Sequence, residues 1–440
     1  MSAGRDQGYF SEGIAEEILN GLSQNEGLQV VGRTSSFSFR NNQDLREIGS
    51  KLNVTHVLEG SVRREEGMVR VTTQLIDVTS GYHVWSQSFS REIRSVLALE
   101  DDIAREVVVA LRGKLLPNRH NKAATRPAVN PEAYDIFLRA INLLRLASVE
   151  SVRQSIPLFR KALTLEPGFA QAWTGLAMAL WWSSVTNTAE AVDSAHEAVA
   201  AANRAVELDA DWALAYSARA LVRWDLQWDW AGATADLARA MALNPRDPIV
   251  LSDRCILERK SGKLASSAAA CRQAIQLDPL SVAHWNQLTQ TYLAGGEYVL
   301  ARAAVARALE ISPASRTAQI LRCRIAVFSG DATGRQLCKG LPEEKQRLFW
   351  AALGTFDKED PTEADRALAV LIAKIGEQEP DRIALVYAWR GEKDRAFEWL
   401  ERAYAQRVGL VEIKISPFFG KIRDDPRFTA LLKKMNLPQD

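Results

Sequence analysis

The chain has 440 residues, too many for one compact core, so two or three domains are expected. Hydrophobic residues make up 47% and charged residues 25%, the balance of an ordered chain with no need of a lipid or polyanion partner. Lys+Arg 55 against Asp+Glu 54 leaves a formal charge of +1, and no dense basic run occurs, which argues against nucleic-acid binding. The opening MSAGRDQGYF has no apolar core of signal-peptide length, and no apolar stretch reaches the roughly 18 residues of a membrane span. A cytoplasmic chain without membrane insertion is therefore expected.

In chain order, residues 1–116 read as a small α/β domain. SEGIAEEILNGLSQ places Ile14, Ile18, Leu19 and Leu22 on one stripe of a helix over 11–24, with Ser11 as its N-cap. LQVVGR follows as a short strand and NQDLREIGSKLN as a short helix. THVLEGSVRR and MVRVTTQLIDV read as strands joined at Glu65-Glu66-Gly67, and YHVWSQSFS as a third after Thr79-Ser80-Gly81. Their alternation and turn residues predict an antiparallel meander. A helix from Val96 to Leu116 closes the unit, with Asp101 and Asp102 as favourable charges near its start.

After a linker over 117–130, residues 131–340 carry an internal repeat. ALNP ends at Pro245, QLDP at Pro279 and EISP at Pro313, which are 34 residues apart. TLEP at Pro167 and ELDA at Ala210 supply the same landmark. Five residues before it stand Ala162, Ala205, Ala240, Ala274 and Ala308; twelve before it stand Ser155, Ala198, Ala233, Ser267 and Ala301. Between them, eight before it, lie Phe159, Ala202, Leu237, Cys271 and Val305. Spacings of four and three put these residues on one helical face, where small side chains admit a second helix and proline stops the run. The partner helix reads Trp173, Leu176, Ala177, Leu180 in one unit and Trp285, Leu288, Thr289, Tyr292 in another.

The units vary. One carries an insertion around Ser183 to Ala189, and the unit after Pro313 degenerates through FSGDATGRQLCKG. Pro157 falls inside a helix, where it costs roughly 3 kcal/mol and should kink it. Residues 341–440 form a C-terminal helical region: Ala396, Leu400 and Ala403 restore the spacing, and DDPRFTALLKKMNL reads as an amphipathic cap for the array's open end.

Two resemblances follow from these residues. The 34-residue Trp/Leu/Tyr, Ala, Ala, Pro unit resembles the tetratricopeptide repeat, with five to six units over 131–340. YFSEGIAEEILNGLS, VVGRTSSF, LREIGSKLNVTHVLEGSVRR and VTTQLIDVTSGYHVWSQSF resemble the TolB-like amino-terminal domain of bacterial signalling proteins. The expected fold is thus α+β overall, an α/β domain followed by an all-α superhelical solenoid. The second resemblance implies regulation or assembly, often behind a class III adenylate or guanylate cyclase or a winged-helix DNA-binding domain, and assigns no catalytic residue. Relatives open with a buried apolar strand. Here only MSAGRDQG precedes Tyr9, so either the start is truncated or the sheet has an open edge.

Chemistry-bearing motifs are missing: no GxxxxGK, GxGxxG, HExxH or GxSxG occurs, and His56, His83, His120, His196 and His284 are scattered. No cofactor, metal or catalytic residue is assigned, and the chain reads as non-enzymatic. The expected partner is a protein or peptide held in the concave groove, and association into a homo-oligomer is left open. Groove candidates are Thr174, Met178, Trp181, Trp182, Ser217, Leu221, Trp224, Ser252, Arg259, Lys260, Asn286 and Gln290. The Trp181, Trp182 and Trp224 rings are open to two readings, helix packing or peptide anchoring. The set of Lys, Asn and Arg residues with which such repeats clamp a C-terminal carboxylate is not reproduced. Cys255/Cys271 and Cys323/Cys338 are expected as buried thiols in a reducing cytosol, with disulfides the alternative in a periplasmic or envelope protein.

Overall fold

The structure is a computed structural model that describes residues 8–23, 28–39, 44–65, 67–92, 95–115, 129–186, 191–331, 334–354 and 361–438. The opening segment, Glu66, most of the expected linker and part of the insertion near 183–189 lie outside the described residues.

The first domain runs α1 (Gly8–Ser23), α2 (Arg33–Ser36), α3 (Leu45–Leu52), β1 (His56–Glu65), β2 (Met68–Asp77), β3 (His83–Glu92) and α4 (Val96–Leu115). The strands form the expected antiparallel meander in the order β1-β2-β3, with Val71 opposite Val62 and Phe89. Period-two alternation buries Val69, Val71 and Leu75 with Phe10, Ile14 and Ile18 of α1 and Leu99 and Ile103 of α4. Arg70, Thr72 and Gln74 point to the other face, opposite Arg63, Ser61 and Glu59. Two expectations fail. Helix α1 begins at Gly8, so Ser11 lies inside it and does not cap it. LQVVGR is not a strand: residues 28–32 have no ladder partner among the described residues, and the Gly32 amide donates instead to the Leu277 carbonyl at 2.6 Å.

The rest is helical. The helices follow as α5 (Pro131–Arg145), α6 (Val149–Leu165), α7 (Ala170–Thr186), α8 (Ala191–Leu208), α9 (Ala213–Val222), α10 (Trp230–Leu243), α11 (Pro248–Lys260) and α12 (Leu264–Leu277). Then come α13 (Val282–Ala294), α14 (Tyr298–Ile311), α15 (Arg316–Phe328), α16 (Gly334–Lys339), α17 (Glu344–Ala352), α18 (Pro361–Ile375), α19 (Pro380–Arg390) and α20 (Lys393–Gln406). Each odd-numbered helix from α5 packs on its successor as a hairpin, the repeat that the 34-residue period predicts. Asn130, Ser148, Asp247, Ser281 and Ser315 cap helix starts through their side chains, and proline holds the first position after Asn130 and Asp247. All ten small residues of the landmark count, from Ala162 to Ala301, have no solvent exposure. A further contact recurs six residues after the landmark proline: Trp173 Nε1, Trp285 Nε1 and Gln319 Nε2 donate to the Pro167, Pro279 and Pro313 carbonyls at 2.9, 2.9 and 3.0 Å. Helix α6 continues through Pro157 as one helix.

Successive odd-numbered helices also touch one another, from α5·α7 through α13·α15, so they form the inner wall of the curve. Against one end and edge of this array sits the first domain. Tyr134 of α5 donates to Glu100 at 2.6 Å, and Tyr9 to Asp135 at 2.7 Å. Farther along, Ser35 donates both its amide and hydroxyl to Asp278 Oδ1, at 2.7 and 2.5 Å, in the turn between α12 and α13. Gly32 is required there, because a Cβ would lie 2.6 Å from that of Asp278. The short helix α2 is thereby a latch between the two regions.

The tail, expected as a cap for the open end, divides into two stretches. Two 3-10 turns (Leu410–Glu412 and Pro417–Ile422) reach the inner helices, whereas α21 (Pro426–Lys434) packs along α20 of the last hairpin, with Arg427 paired to Asp394 and Lys434 to Glu401, each at 2.9 Å. Trp230 of α10 donates to the Met435 carbonyl at 3.0 Å, 205 residues away. Phe418 is buried among rings of α15, α17 and α19, while Phe419 packs on Phe428 of α21, so apolar burial holds both stretches of the tail.

Candidate functional site

The groove along the inner wall contains most of the residues the sequence nominates. A five-residue π-helical turn, Arg223–Gln227, prolongs α9 and carries Trp224 and Asp225 inward. Asp225 gathers two of the candidates: Trp181 Nε1 donates to one oxygen at 2.9 Å, and Lys260 Nζ to the other at 2.8 Å. The Lys260 ammonium also stands 5.7 Å from the Trp224 ring centroid. Trp224 is fully buried, whereas Trp181 and Trp182 are half-buried.

One turn away, Ser217 donates to Asp253 at 2.6 Å. Burial pushes the Asp253 carboxyl up to about 7, and the Ser217 bond offsets only part of this. Thr174 bonds the Ala170 carbonyl of its own helix at 3.0 Å, Leu221 and Asn286 are buried, and Met178 and Ser252 are half-buried.

The third cluster is a carboxylate clamp. Arg259 donates to Gln287 at 2.8 Å, to Gln290 at 3.2 Å and to Glu412 of the tail at 2.8 Å. Burial raises the Glu412 carboxyl, but Arg259, Lys260 and Arg324 outweigh it and hold the group below its ordinary value. Arg324 itself is lowered, by burial first and by Arg259 and Arg382 next, against the attraction of Glu412.

The clamp is one point on a longer track. The Arg407 guanidinium lies 4.9 Å from the Trp228 ring and donates to the Leu226 carbonyl at 3.0 Å. Lys414 Nζ donates to the Ser261 carbonyl at 3.0 Å. Phe418 enters a cage formed by Phe328 of α15, Phe349 and Trp350 of α17 and Trp389 of α19, with ring centroids 4.9, 5.6, 6.0 and 5.9 Å away. Residues 407–422 thus lie against the inner helices as two 3-10 turns joined by a hydrogen-bonded turn, with Leu410, Ile413, Phe418 and Ile422 buried. Sequence reasoning placed Arg259, Lys260 and Gln290 in this groove but missed Asp225, Asp253, Arg324, Glu412 and Phe418. An acidic residue inside a helical stretch was the available signal for the first two, Asp225 in RWDLQ and Asp253 in the middle of α11.

The cysteines depart from the expectation of free thiols. Cys255–Cys271 and Cys323–Cys338 are both disulfide-bonded, with Cα atoms 5.3 and 5.2 Å apart, because each pair faces across the two helices of one hairpin. Among the described residues, no group of His, Cys, Asp and Glu is arranged to hold a metal ion, and no helix is long and apolar enough to cross a membrane.

No family model matches the chain. It is 34% identical over 208 residues to the protein named "Putative adenylate cyclase 3" of Rhizobium meliloti (strain 1021), covering 45% of this chain. Among solved structures, the human IFIT1 dimer with PPP-AAAA is 14% identical, with 92% of this chain and 95% of that chain covered at a TM-score of 0.49. The thermophilic TPR protein TTC0263 of Thermus thermophilus is 20% identical, with 45% and 98% covered at a TM-score of 0.37. The chain spans 35% of the length of the curated relative it matches.

Proposed function

We propose that this chain is a non-catalytic interaction scaffold in bacterial signalling or regulation, which holds a protein partner along the inner wall of its helical array. The observation that carries this reading is the track itself: a charged clamp and an aromatic cage already hold a segment of turns and 3-10 helix, residues 407–422. The test is capture from native cells by the immobilised chain, with bound proteins identified by mass. A partner retained by the wild type and lost with Arg259→Ala at unchanged melting temperature supports the reading. Equal capture by both, or none by either, contradicts it.

The first domain, in this reading, is a TolB-like module that fixes where the array sits, through Ser35 and Asp278. A second reading is favoured by the Rhizobium relative: the chain would be the regulatory part of a longer nucleotide cyclase. The two disulfides pull the other way, since such bonds persist in oxidising compartments and a cyclase works on a cytosolic nucleotide. Counting free thiols in protein isolated under alkylating conditions separates them. No free thiol favours an envelope protein, and four favour the cyclase reading.

A further inference from the structure

The tail meets the inner helices through cationic, acidic and aromatic side chains in turn. Its residues 407–425 contain no α-helix, only the two short 3-10 turns, and both Arg407 and Gly409 have positive φ, at 56° and 68°. A left-handed Arg407 right after α20 makes a sharp boundary at which the tail can part from the array. The contacts beyond it recur at defined steps: a cation on the Trp228 ring, a carboxylate in the clamp five residues later, an aromatic ring in the cage six residues after that.

The groove side of these contacts does not depend on the tail. Gln287 and Gln290 hold Arg259 from α13, so the guanidinium stays aimed into the groove whether or not Glu412 is present. Cationic capacity exceeds the demand. The Arg259 side chain is 3% exposed, yet its Nε has no partner, and Arg324 Nε is also unpaired, while Glu412 remains 36% exposed. One half-open carboxylate therefore faces two buried arginines.

We infer that residues 407–422 are a built-in occupant of a peptide-binding groove, and that the partner is a protein segment of the same chemistry, a turn-forming stretch with a carboxylate six residues before an aromatic side chain. The inference rests on the scaffold reading above and adds the recognition pattern and the means of control. Because the tail is tethered, it competes at an effective concentration on the order of millimolar, so a partner gains the groove only when its affinity overcomes that advantage.

The probe is a fluorescent peptide with the sequence of residues 407–420, titrated by polarisation into the full-length chain. Phe418→Ala removes the tail's aromatic anchor, and this chain should bind the peptide at least roughly tenfold more tightly than the wild type. Adding Arg259→Ala, or replacing the peptide's glutamate by glutamine, should reverse most of that gain. Glu412→Gln serves as a milder second chain if Phe418→Ala does not fold, with a smaller gain in the same direction. Equal binding by wild type and a folded tail variant, or binding indifferent to the glutamate, overturns the inference. In that event a partner still captured from cells in an Arg259-dependent manner leaves the scaffold reading standing, so the two fail separately.

Discussion

The array is held from two sides by opposite chemistry. On its turn edge α2 of the first domain docks through polar groups, Gly32 donating to Leu277 and Ser35 to Asp278 in a buried joint, apart from the apolar core that α1 and α4 share with α5. In its groove the tail docks chiefly through an apolar ring, Phe418 among four aromatic side chains, with one ion pair at Glu412. Buried hydrogen bonds add little net stability but are costly to break on one side, so the edge joint fixes orientation. Ring burial contributes stability but tolerates any ring of similar size, so the groove joint fixes affinity. A latch and an exchangeable occupant call for these different materials.

The largest effect should come from the groove side. Phe418→Ala removes a buried ring and should cost about 3–5 kcal/mol in chemical denaturation, unless the tail leaves as a unit, in which case the array melts near its wild-type midpoint. Reducing both disulfides comes next. Each closes a loop of sixteen or fifteen residues, worth about 3 kcal/mol on chain entropy, so reduction should lower the melting temperature clearly. At the edge, Asp278→Ala strands the Ser35 donors, at about 1–3 kcal/mol, and should raise amide exchange over 28–37 far more than over 407–422. Equal rises in both would mean that edge and groove are one cooperative joint.

A pH series sharpens the comparison further. Asp253 is held up to about 7 from an ordinary 3.8, so folding binds a proton there. Its contribution is complete below the ordinary value and is lost as pH rises toward 7. Asp253→Asn should therefore gain stability over the wild type progressively between about pH 4 and 7, with no further gain above. The smallest effect belongs to the outer surface: Arg160 and Glu197 pair with side chains 54% and 37% exposed, and Arg160→Ala should cost under about 1 kcal/mol.

The repeat was the most legible part of this molecule. Ala162, Ala205, Ala240, Ala274 and Ala308 recur because close helix approach leaves no other size of side chain room, so a packing constraint becomes a spacing in the sequence. The sheet was legible through its period of two. The strand expected at LQVVGR was not, because its composition suits any buried backbone and only Asp278, far along the chain, decides that Gly32 and Ser35 serve as a latch. The groove was half legible. Counting along the repeat reaches Arg259 and Gln290, but nothing local in VGLVEIKISPFF states that this segment returns to lie on them. The π-helical turn at Arg223–Gln227 likewise shifts Trp224 into the core by a register change that a 3.6-residue count cannot foresee.

The central claim is that the chain's own residues 407–422 lie in its groove, and a photo-crosslinker placed at Gln290 tests it most directly. Irradiation of the purified full-length chain, followed by peptide mapping, should yield an intrachain link to residues around Glu412. Links confined to the neighbouring inner helices, with none to the tail, would contradict it.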